Sequence, residues 1–170
     1  SVSTEENKKD IAAGIIEAMD PETLYLLGPG TTVKAIADEL GVPKTLLGVD
    51  AVYGGQLVGR DLPGALGQAA AHTDGESIIE LLQQYSKCKI VVTPLGGNGF
   101  IFGRGNKQFT PEVIRQVGRA NIIVVSTAHK VRQLSCLWVD TGDLAVDEML
   151  SGYMEVTIGY RHARVMKVCH

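Results

Sequence analysis

The sequence lacks the features that mark membrane proteins and proteins with a dedicated nucleic-acid surface. No apolar run in its 170 residues approaches the ~20 residues that a transmembrane helix needs. The formal net charge is −3, which argues against a broad basic surface for nucleic acid or anionic lipid. Hydrophobic residues make up 45% and charged residues 21% of the chain. This balance is typical of a globular domain that buries its own core.

The motifs of common metal and nucleophile sites are missing as well. The four histidines show no HxH or HExxH spacing, and there is no GxSxG motif, so neither a metal site nor a serine nucleophile is predicted. The three cysteines, Cys88, Cys136 and Cys169, are an odd number and contain no CxxC pair. We therefore expect reduced thiols and a cytoplasmic protein.

Glycine, by contrast, is abundant, with 20 of 170 residues against an average share of about 7%. Between the glycine-rich loops, the apolar segments 23–27, 45–49, 89–92 and 121–126 read as buried strands that alternate with helical patterns. Strands that are apolar throughout are typical of parallel sheets covered on both faces. The sequence therefore predicts an α/β fold, a three-layer α/β/α Rossmann-like domain with a mostly parallel sheet, in one domain over residues 1–170.

The first candidate site is the turn Gly28-Pro29-Gly30-Thr31-Thr32, between a predicted strand and a predicted helix. The free N–H groups and the dipole of a helix N-terminus suit a phosphate, and the two hydroxyls add donors. No lysine follows the glycines as it does in a P-loop. We predict that Gly28, Gly30, Thr31 and Thr32 bind a phosphate or nucleotide. The alternative is a tight turn in which Thr31 or Thr32 is only the N-cap.

The second candidate site is the glycine-rich stretch after the strand at 89–92. Glycines without a Cβ let the backbone approach a ligand closely, and the basic and amide side chains that follow could bind an anion or a base edge. The residues concerned are Gly96, Gly97, Asn98, Gly99, Arg104 and Asn106. The alternative is a β-hairpin whose turns need positive φ.

The third candidate is Asp50, which follows the predicted strand at 45–49. A carboxylate at a strand end can act as a general base or bind a metal. It is equally common as a cap or turn residue. Asp140 stands in the same relation to the predicted strand at 137–139.

The strings LLGPGTT (residues 26–32) and TPLGGNGFIFGRGN (residues 93–106) resemble the carboxy-terminal half of the ATP-NAD kinase-like family, which includes the acetoin catabolism protein X. The resemblance implies phosphorylation of the 2′-hydroxyl of the NAD adenosine ribose, with ATP or polyphosphate as donor and Mg²⁺ as cofactor. The family's GGDGT motif is missing, and Gly96-Gly97-Asn98-Gly99 has Asn where that motif has Asp. The resemblance thus implies a carboxy-terminal fragment that lacks an amino-terminal domain and is inactive alone.

A weaker similarity is to the ribose-5-phosphate isomerase and CoA-transferase superfamily, in which the turn equivalent to residues 28–32 binds sugar phosphates. This order of elements implies an alternative function, a sugar-phosphate or nucleotide-binding module without catalysis. A structural, homo-oligomerising half with no ligand of its own is the third hypothesis. In the first two, the partner is a small molecule that carries phosphate.

Overall fold

The computed structural model describes residues 3–58, 75–103 and 108–170. Two of the candidate site residues, Arg104 and Asn106, lie outside these ranges. Residues 62–73, to which the sequence pattern assigns no helix or strand, lie outside them too.

Helices and strands alternate along most of the described chain. The helices are α1 Thr4–Ala18, α2 Thr31–Leu40, α3 Gly75–Gln84, α4 Pro111–Val117, α5 Ala128–Arg132 and α6 Leu144–Leu150, with a short 3-10 helix at Arg119–Asn121. The strands are β1 Leu24–Leu27, β2 Asp50–Tyr53, β3 Gln56–Leu57, β4 Cys88–Val92, β5 Phe100–Gly103, β6 Ile122–Val125, β7 Leu137–Asp140, β8 Gly152–Gly159 and β9 His162–Cys169.

The described strands form one sheet in the order β3-β2-β1-β4-β6-β8-β9-β7-β5. Neighbours pair in parallel from β1 through β4 and β6 to β8, and again from β9 through β7 to β5. The pairs β1–β2, β2–β3 and β8–β9 are antiparallel. The prediction of a mostly parallel sheet is confirmed. Because the β8–β9 hairpin reverses the direction, β5 and β7 end at the opposite end of the sheet from β1, β4 and β6.

Helices cover both faces of this sheet because its central strands are apolar on both sides. On one face, Ile11 of α1 and Ile36 of α2 pack in a core with Tyr25 and Leu27 of β1. On the other face, the alternate β1 residues Leu24 and Leu26 share a core with buried residues of α3, α4 and α6. The three-layer, Rossmann-like α/β architecture is therefore confirmed.

Local capping contacts fix several helix ends. The Ser3 side chain accepts a hydrogen bond from Glu6 N at 3.1 Å, and Thr110 caps α4 by accepting one from Val113 N at 3.3 Å. Gly41 ends α2 in the left-handed conformation, with φ 77°. In the described part of the chain, no helix is both long and apolar enough to cross a lipid bilayer.

The strand predicted at 45–49 is wrong. This stretch has no regular secondary structure, and the strand begins only at Asp50 and runs antiparallel to β1. The apolar run misled the prediction because Leu46 and Leu47 are exposed rather than buried in a sheet. Asp50 consequently begins a strand instead of ending one. Since β2 is antiparallel, Asp50 still lies beside Leu27, at the carboxyl end of β1.

The expectation of three reduced thiols is also wrong, because Cys136 and Cys169 form a disulfide with a Cα–Cα distance of 5.9 Å. The pairing of β7 with β9 sets Trp138 beside Cys169, so Cys136 comes within reach across the two strands. Cys88 is free, and burial raises the pKa of its thiol to about 12. A thiol with this pKa is unreactive near neutral pH.

Candidate functional site

A cavity of about 540 Å³ opens where three neighbouring parallel strands end. The segments that follow β1, β4 and β6 supply its floor, in residues 29–32, 93–96 and 126–127. Helix α1 adds Thr4 and Lys8, and the irregular segment before β2 adds Leu46 and Leu47. Open α/β sheets bind ligands at this edge. The cavity volume is within the usual range for small-molecule sites, about 300–1,000 Å³.

The N-terminus of α2 faces this cavity without a capping side chain. Its N-cap is Gly30, not a threonine, so Thr31 and Thr32 are the first two helical residues. Two N–H groups that precede the helix are already bonded. Gly28 N donates to Val91 O at 2.9 Å and Gly30 N donates to Leu46 O at 3.0 Å. The helix geometry leaves the N–H groups of Thr31, Thr32 and Val33 as the donors without an intrahelical acceptor.

Glycine is required at position 30 by conformation and by space. Its φ is 112°, which side-chain-bearing residues rarely adopt. A Cβ on Gly30 would lie 2.6 Å from Cγ2 of Thr93. The close approach of the α2 and β4 segments, and with it the shape of the cavity floor, therefore depends on this glycine.

Two threonine side chains on the cavity lining make no hydrogen bond within the described chain. Thr32 and Thr93 are each 6% exposed and line the cavity. The neighbouring hydroxyls differ, because Ser126 donates to Thr127 O at 3.1 Å and Thr127 accepts from Lys130 N at 3.2 Å. Asp50 Oδ1 is the one buried side-chain oxygen without a partner in the described chain, so the Thr32 and Thr93 hydroxyls are not sealed from solvent. They remain available to water or to a polar ligand group in the cavity.

Lysines from two helices border the same cavity. Lys8 of α1 lies 3.5 Å from Glu5 Oε1. Lys130 of α5 donates to Gly96 O at 2.7 Å. No acidic side chain lines the cavity among the residues that the structure describes. An anion in the cavity would thus meet two ammonium groups and no described carboxylate on the wall.

The glycine-rich loop after β4 forms a hairpin-like turn, and one of its glycines also lines the cavity. Leu95 and Phe100 exchange backbone hydrogen bonds of 2.8 and 3.1 Å, which close a hairpin-like turn over residues 96–99. Gly96 lines the cavity, whereas Gly97 and Asn98 are exposed to solvent. Gly99 packs so closely that a Cβ there would lie 2.8 Å from the Leu134 side chain.

The continuation of this loop does not return to the cavity edge. Strand β5 runs away from that edge and ends at Gly103, beside Asp140 of β7, at the opposite end of the sheet. Asp50 and Asp140, which the sequence treats as similar strand-end carboxylates, consequently lie at opposite ends. The proposed binding roles of Gly97, Asn98, Gly99, Arg104 and Asn106 stay predictions.

Asp50 is fully buried and forms an ion pair rather than lining the cavity. Its Oδ2 lies 2.9 Å from Lys44 Nζ and accepts hydrogen bonds from Thr45 N at 3.1 Å and Thr45 Oγ1 at 2.9 Å. Desolvation lowers the pKa of Lys44, and the Asp50 charge opposes that shift. Asp50 Oδ1 is buried without a partner in the described structure. These contacts give Asp50 a structural task, which is to hold the segment before β2.

A comparison with protein-family models supplies the family. The model of the ATP-NAD kinase C-terminal domain matches residues 20–168, nearly the whole chain. The chain belongs to this family. Its matched region includes the uncapped turn, the glycine-rich loop and every strand of the sheet. The chain matches no curated protein and no solved structure.

The ATP-NAD kinase family implies a kinase that forms NADP, and kinases commonly hold Mg²⁺ between carboxylates and substrate phosphates. The described residues contain no group of three or more His, Cys, Asp and Glu side chains placed to hold a metal ion. Because no described carboxylate lines the cavity either, the residues present do not fit a protein-held Mg²⁺.

Several cavity residues were not predicted from the sequence, for two different reasons. Ser126 and Thr127 follow β6 directly, so the rule that singled out residues 28–32 could have found them. Thr93 follows β4 in the same way. Lys8 lies on α1, far from these strand ends in the sequence, and only the packing of α1 against α2 brings it to the cavity.

Proposed function

We propose that this domain supplies the phosphate-binding part of the nucleotide pocket in an NAD kinase-like enzyme. The enzyme would phosphorylate the ribose 2′-hydroxyl of NAD, with ATP or polyphosphate as the donor. The observation that carries the proposal is the uncapped N-terminus of α2, which faces a cavity together with the unpartnered hydroxyls of Thr32 and Thr93.

The electrostatics of the cavity favour an anion. A helix N-terminus carries about half a positive charge, and its free N–H groups point along the axis at the ligand. Lys8 and Lys130 add two positive charges at the rim. Hydrogen bonds to charged groups contribute about 1.5–3 kcal/mol each, so a few of them suffice for millimolar to micromolar binding of a phosphate.

The remaining chemistry of the kinase falls to an amino-terminal domain that carries the family's GGDGT motif. Phosphoryl transfer depends on positioning the reactants and on neutralising charge around the phosphates. The described cavity offers donors and cations for these tasks and no carboxylate. Asp50, buried against Lys44, is assigned no chemical step.

A second candidate is a sugar-phosphate or nucleotide-binding module without catalysis. It is favoured because the described lining contains no Asp, Glu or His that could act as a general base toward a ribose hydroxyl. The two candidates share the phosphate site and differ only in whether a second domain completes the chemistry.

The proposal is tested by titrating the chain with inorganic phosphate and with ribose 5-phosphate, by calorimetry, at low and at high salt. We expect binding that weakens as salt screens the charges. We also expect the chain alone to form no NADP from NAD with Mg²⁺ and either ATP or polyphosphate. Turnover by the chain alone would instead place catalysis in this domain.

A further inference from the structure

Two large, exposed apolar side chains line the cavity. Leu47 is 79% exposed and Leu46 is 46% exposed, and both line the cavity. The residues that follow them, Gly48 to Asp50, are buried. We call the side chains of Leu46 and Leu47 the leucine wall. Exposed apolar groups that line a cavity are the kind of surface that an apolar ligand group covers.

A buried ion pair and its hydrogen bonds hold the leucine wall in place although the segment has no regular secondary structure. The buried Lys44 ammonium donates to Thr45 O at 2.7 Å and to Gly48 O at 2.8 Å, on either side of the two leucines. The same ammonium lies 2.9 Å from Asp50 Oδ2, which also accepts from Thr45 N and Oγ1. The side chains of both ion-pair partners are fully buried. One buried ion pair thus ties both ends of the segment together.

The leucine wall is also tied directly to the phosphate end of the cavity. Leu46 O accepts a hydrogen bond from Gly30 N, the N-cap of α2, at 3.0 Å. The wall therefore holds a set distance from the N–H groups of Thr31, Thr32 and Val33. A ligand bound at that N-terminus has its next chemical group beside the two leucines.

We infer that the leucine wall binds the flat, apolar face of a nucleobase, and that Lys44 and Asp50 are the residues that position it. This inference rests on the proposed function, since the phosphate of the same ligand occupies the α2 N-terminus. It narrows the ligand class to nucleotides, because inorganic phosphate and polyphosphate have no apolar surface to place against Leu46 and Leu47.

The test compares two probes that share a phosphate and a ribose, adenosine 5′-monophosphate and ribose 5-phosphate, by calorimetry on the full chain. We expect the parent chain to bind the nucleotide more tightly. Leu47→Gln should weaken nucleotide binding about fivefold, the effect of losing partial burial of one leucine, and leave ribose 5-phosphate binding unchanged. The matched control is Leu144→Gln on α6, which is 74% exposed and lies outside the cavity lining.

The positioning role has its own variant. Lys44→Met combined with Asp50→Asn removes both buried charges, and thermal melting shows whether the chain still folds. In the folded double variant we expect the preference for the nucleotide to fall while ribose 5-phosphate binds as before. If the double variant does not fold, the Leu47 comparison alone decides.

The possible failures are distinguishable. Equal binding of the two probes by the parent chain, or equal loss of both in Leu47→Gln, would overturn the role of the leucine wall and leave the phosphate site standing. No binding of either probe by the parent would overturn the proposed function, and the leucine wall with it.

Discussion

Two strand-to-helix junctions in this domain use their helix N-termini in opposite ways. At the β7–α6 junction, Asp143 Oδ1 accepts hydrogen bonds from Ala145 N at 3.0 Å and Val146 N at 3.1 Å. At the β1–α2 junction, the N-cap Gly30 has no side chain, and no side-chain hydrogen bond caps the helix. A side chain of the protein caps the helix N-terminus at one end of the sheet, and no side chain caps the helix N-terminus at the other.

The α6 and α2 junctions also differ in charge. The Arg115 hydrogen bond and the N–H of Val146 hold the pKa of Asp143 below its ordinary value. The negative charge that a helix N-terminus attracts is therefore built into the α6 junction. Between Leu27 and Ile36 there is no acidic residue, so the α2 junction lacks such a charge. This contrast supports the proposal that the α2 end binds an anion.

The largest expected effect comes from breaking the buried Lys44–Asp50 ion pair. This pair holds the segment whose Leu46 O bonds to the N-cap of α2. Lys44→Met leaves the Asp50 carboxylate buried and unpaired, so we expect the free energy of unfolding to fall by about 3–5 kcal/mol. Urea denaturation measures it. Lys34→Met is the control, because Lys34 pairs with Asp38 on the surface, where such pairs contribute about 0–1 kcal/mol. Equal losses in the two variants would contradict the structural role of Lys44.

The next effect concerns the glycine that leaves α2 uncapped. Gly30→Ala forces a Cβ toward Thr93 at a φ of 112°, so we expect a loss of about 2 kcal/mol in unfolding free energy and much weaker phosphate binding. Gly159→Ala, outside the cavity lining and with its nearest Cβ contact at 3.5 Å, should change either quantity little. Urea denaturation and calorimetry with inorganic phosphate give the two values. A fully stable Gly30→Ala chain that binds phosphate normally would remove the geometric argument for this turn.

One variant at each helix end should separate binding from stability, because one should change only the phosphate affinity and the other only the Tm. Thr32→Val removes an unpartnered hydroxyl at similar volume, so we expect about a tenfold loss of phosphate affinity with an unchanged Tm. Asp143→Ala removes the α6 cap, so we expect a lower Tm with unchanged phosphate affinity. The melting curves and phosphate titrations of both variants are compared with those of the parent. If Thr32→Val lowers only the Tm, its hydroxyl is structural.

The smallest expected effect is in the acid stability of the α6 end. The folded-state pKa of Asp143 is below the ordinary value of 3.8, so its contribution to stability is present above about that pH. It is lost as the pH falls through the folded-state pKa. Asp143→Asn should flatten this part of the profile of Tm against pH between 5 and 2. Parallel profiles for the variant and the parent would show that Asp143 does not contribute.

The sequence predicted those parts of the fold whose signals are local. The apolar run at 121–126 depends on neighbouring residues alone, and the strand predicted there is confirmed. The helix ends at Ser3 and Gly41 are likewise set by residues within one helical turn. The run at 45–49 failed because apolar character does not distinguish a buried strand from a cavity wall. The Cys136–Cys169 disulfide depends on the register between β7 and β9, which no local pattern encodes.

The candidate site shows the same limit. The α2 turn was found because one stretch of sequence carries its glycines and hydroxyls together. The pairing of Asp50 with Lys44 was missed because only the fold brings the two charged groups together. Lys8 of α1 was missed because only the fold brings it to the cavity. Even within the α2 turn, the binding of Gly30 N to Leu46 O could not be predicted before the segment at 45–49 was known to be irregular.

The most direct test of the account is an NMR titration of the amide groups with inorganic phosphate. The account predicts that the amide signals of Thr31, Thr32 and Val33 shift as phosphate binds, and that those of Ala145 and Val146, already bonded to Asp143, do not. Raising the salt concentration should reduce the shifts. If the folded chain shows no shifts at residues 31–33 at millimolar phosphate, or equal shifts at both helix ends, the α2 junction is an ordinary turn and the account is wrong.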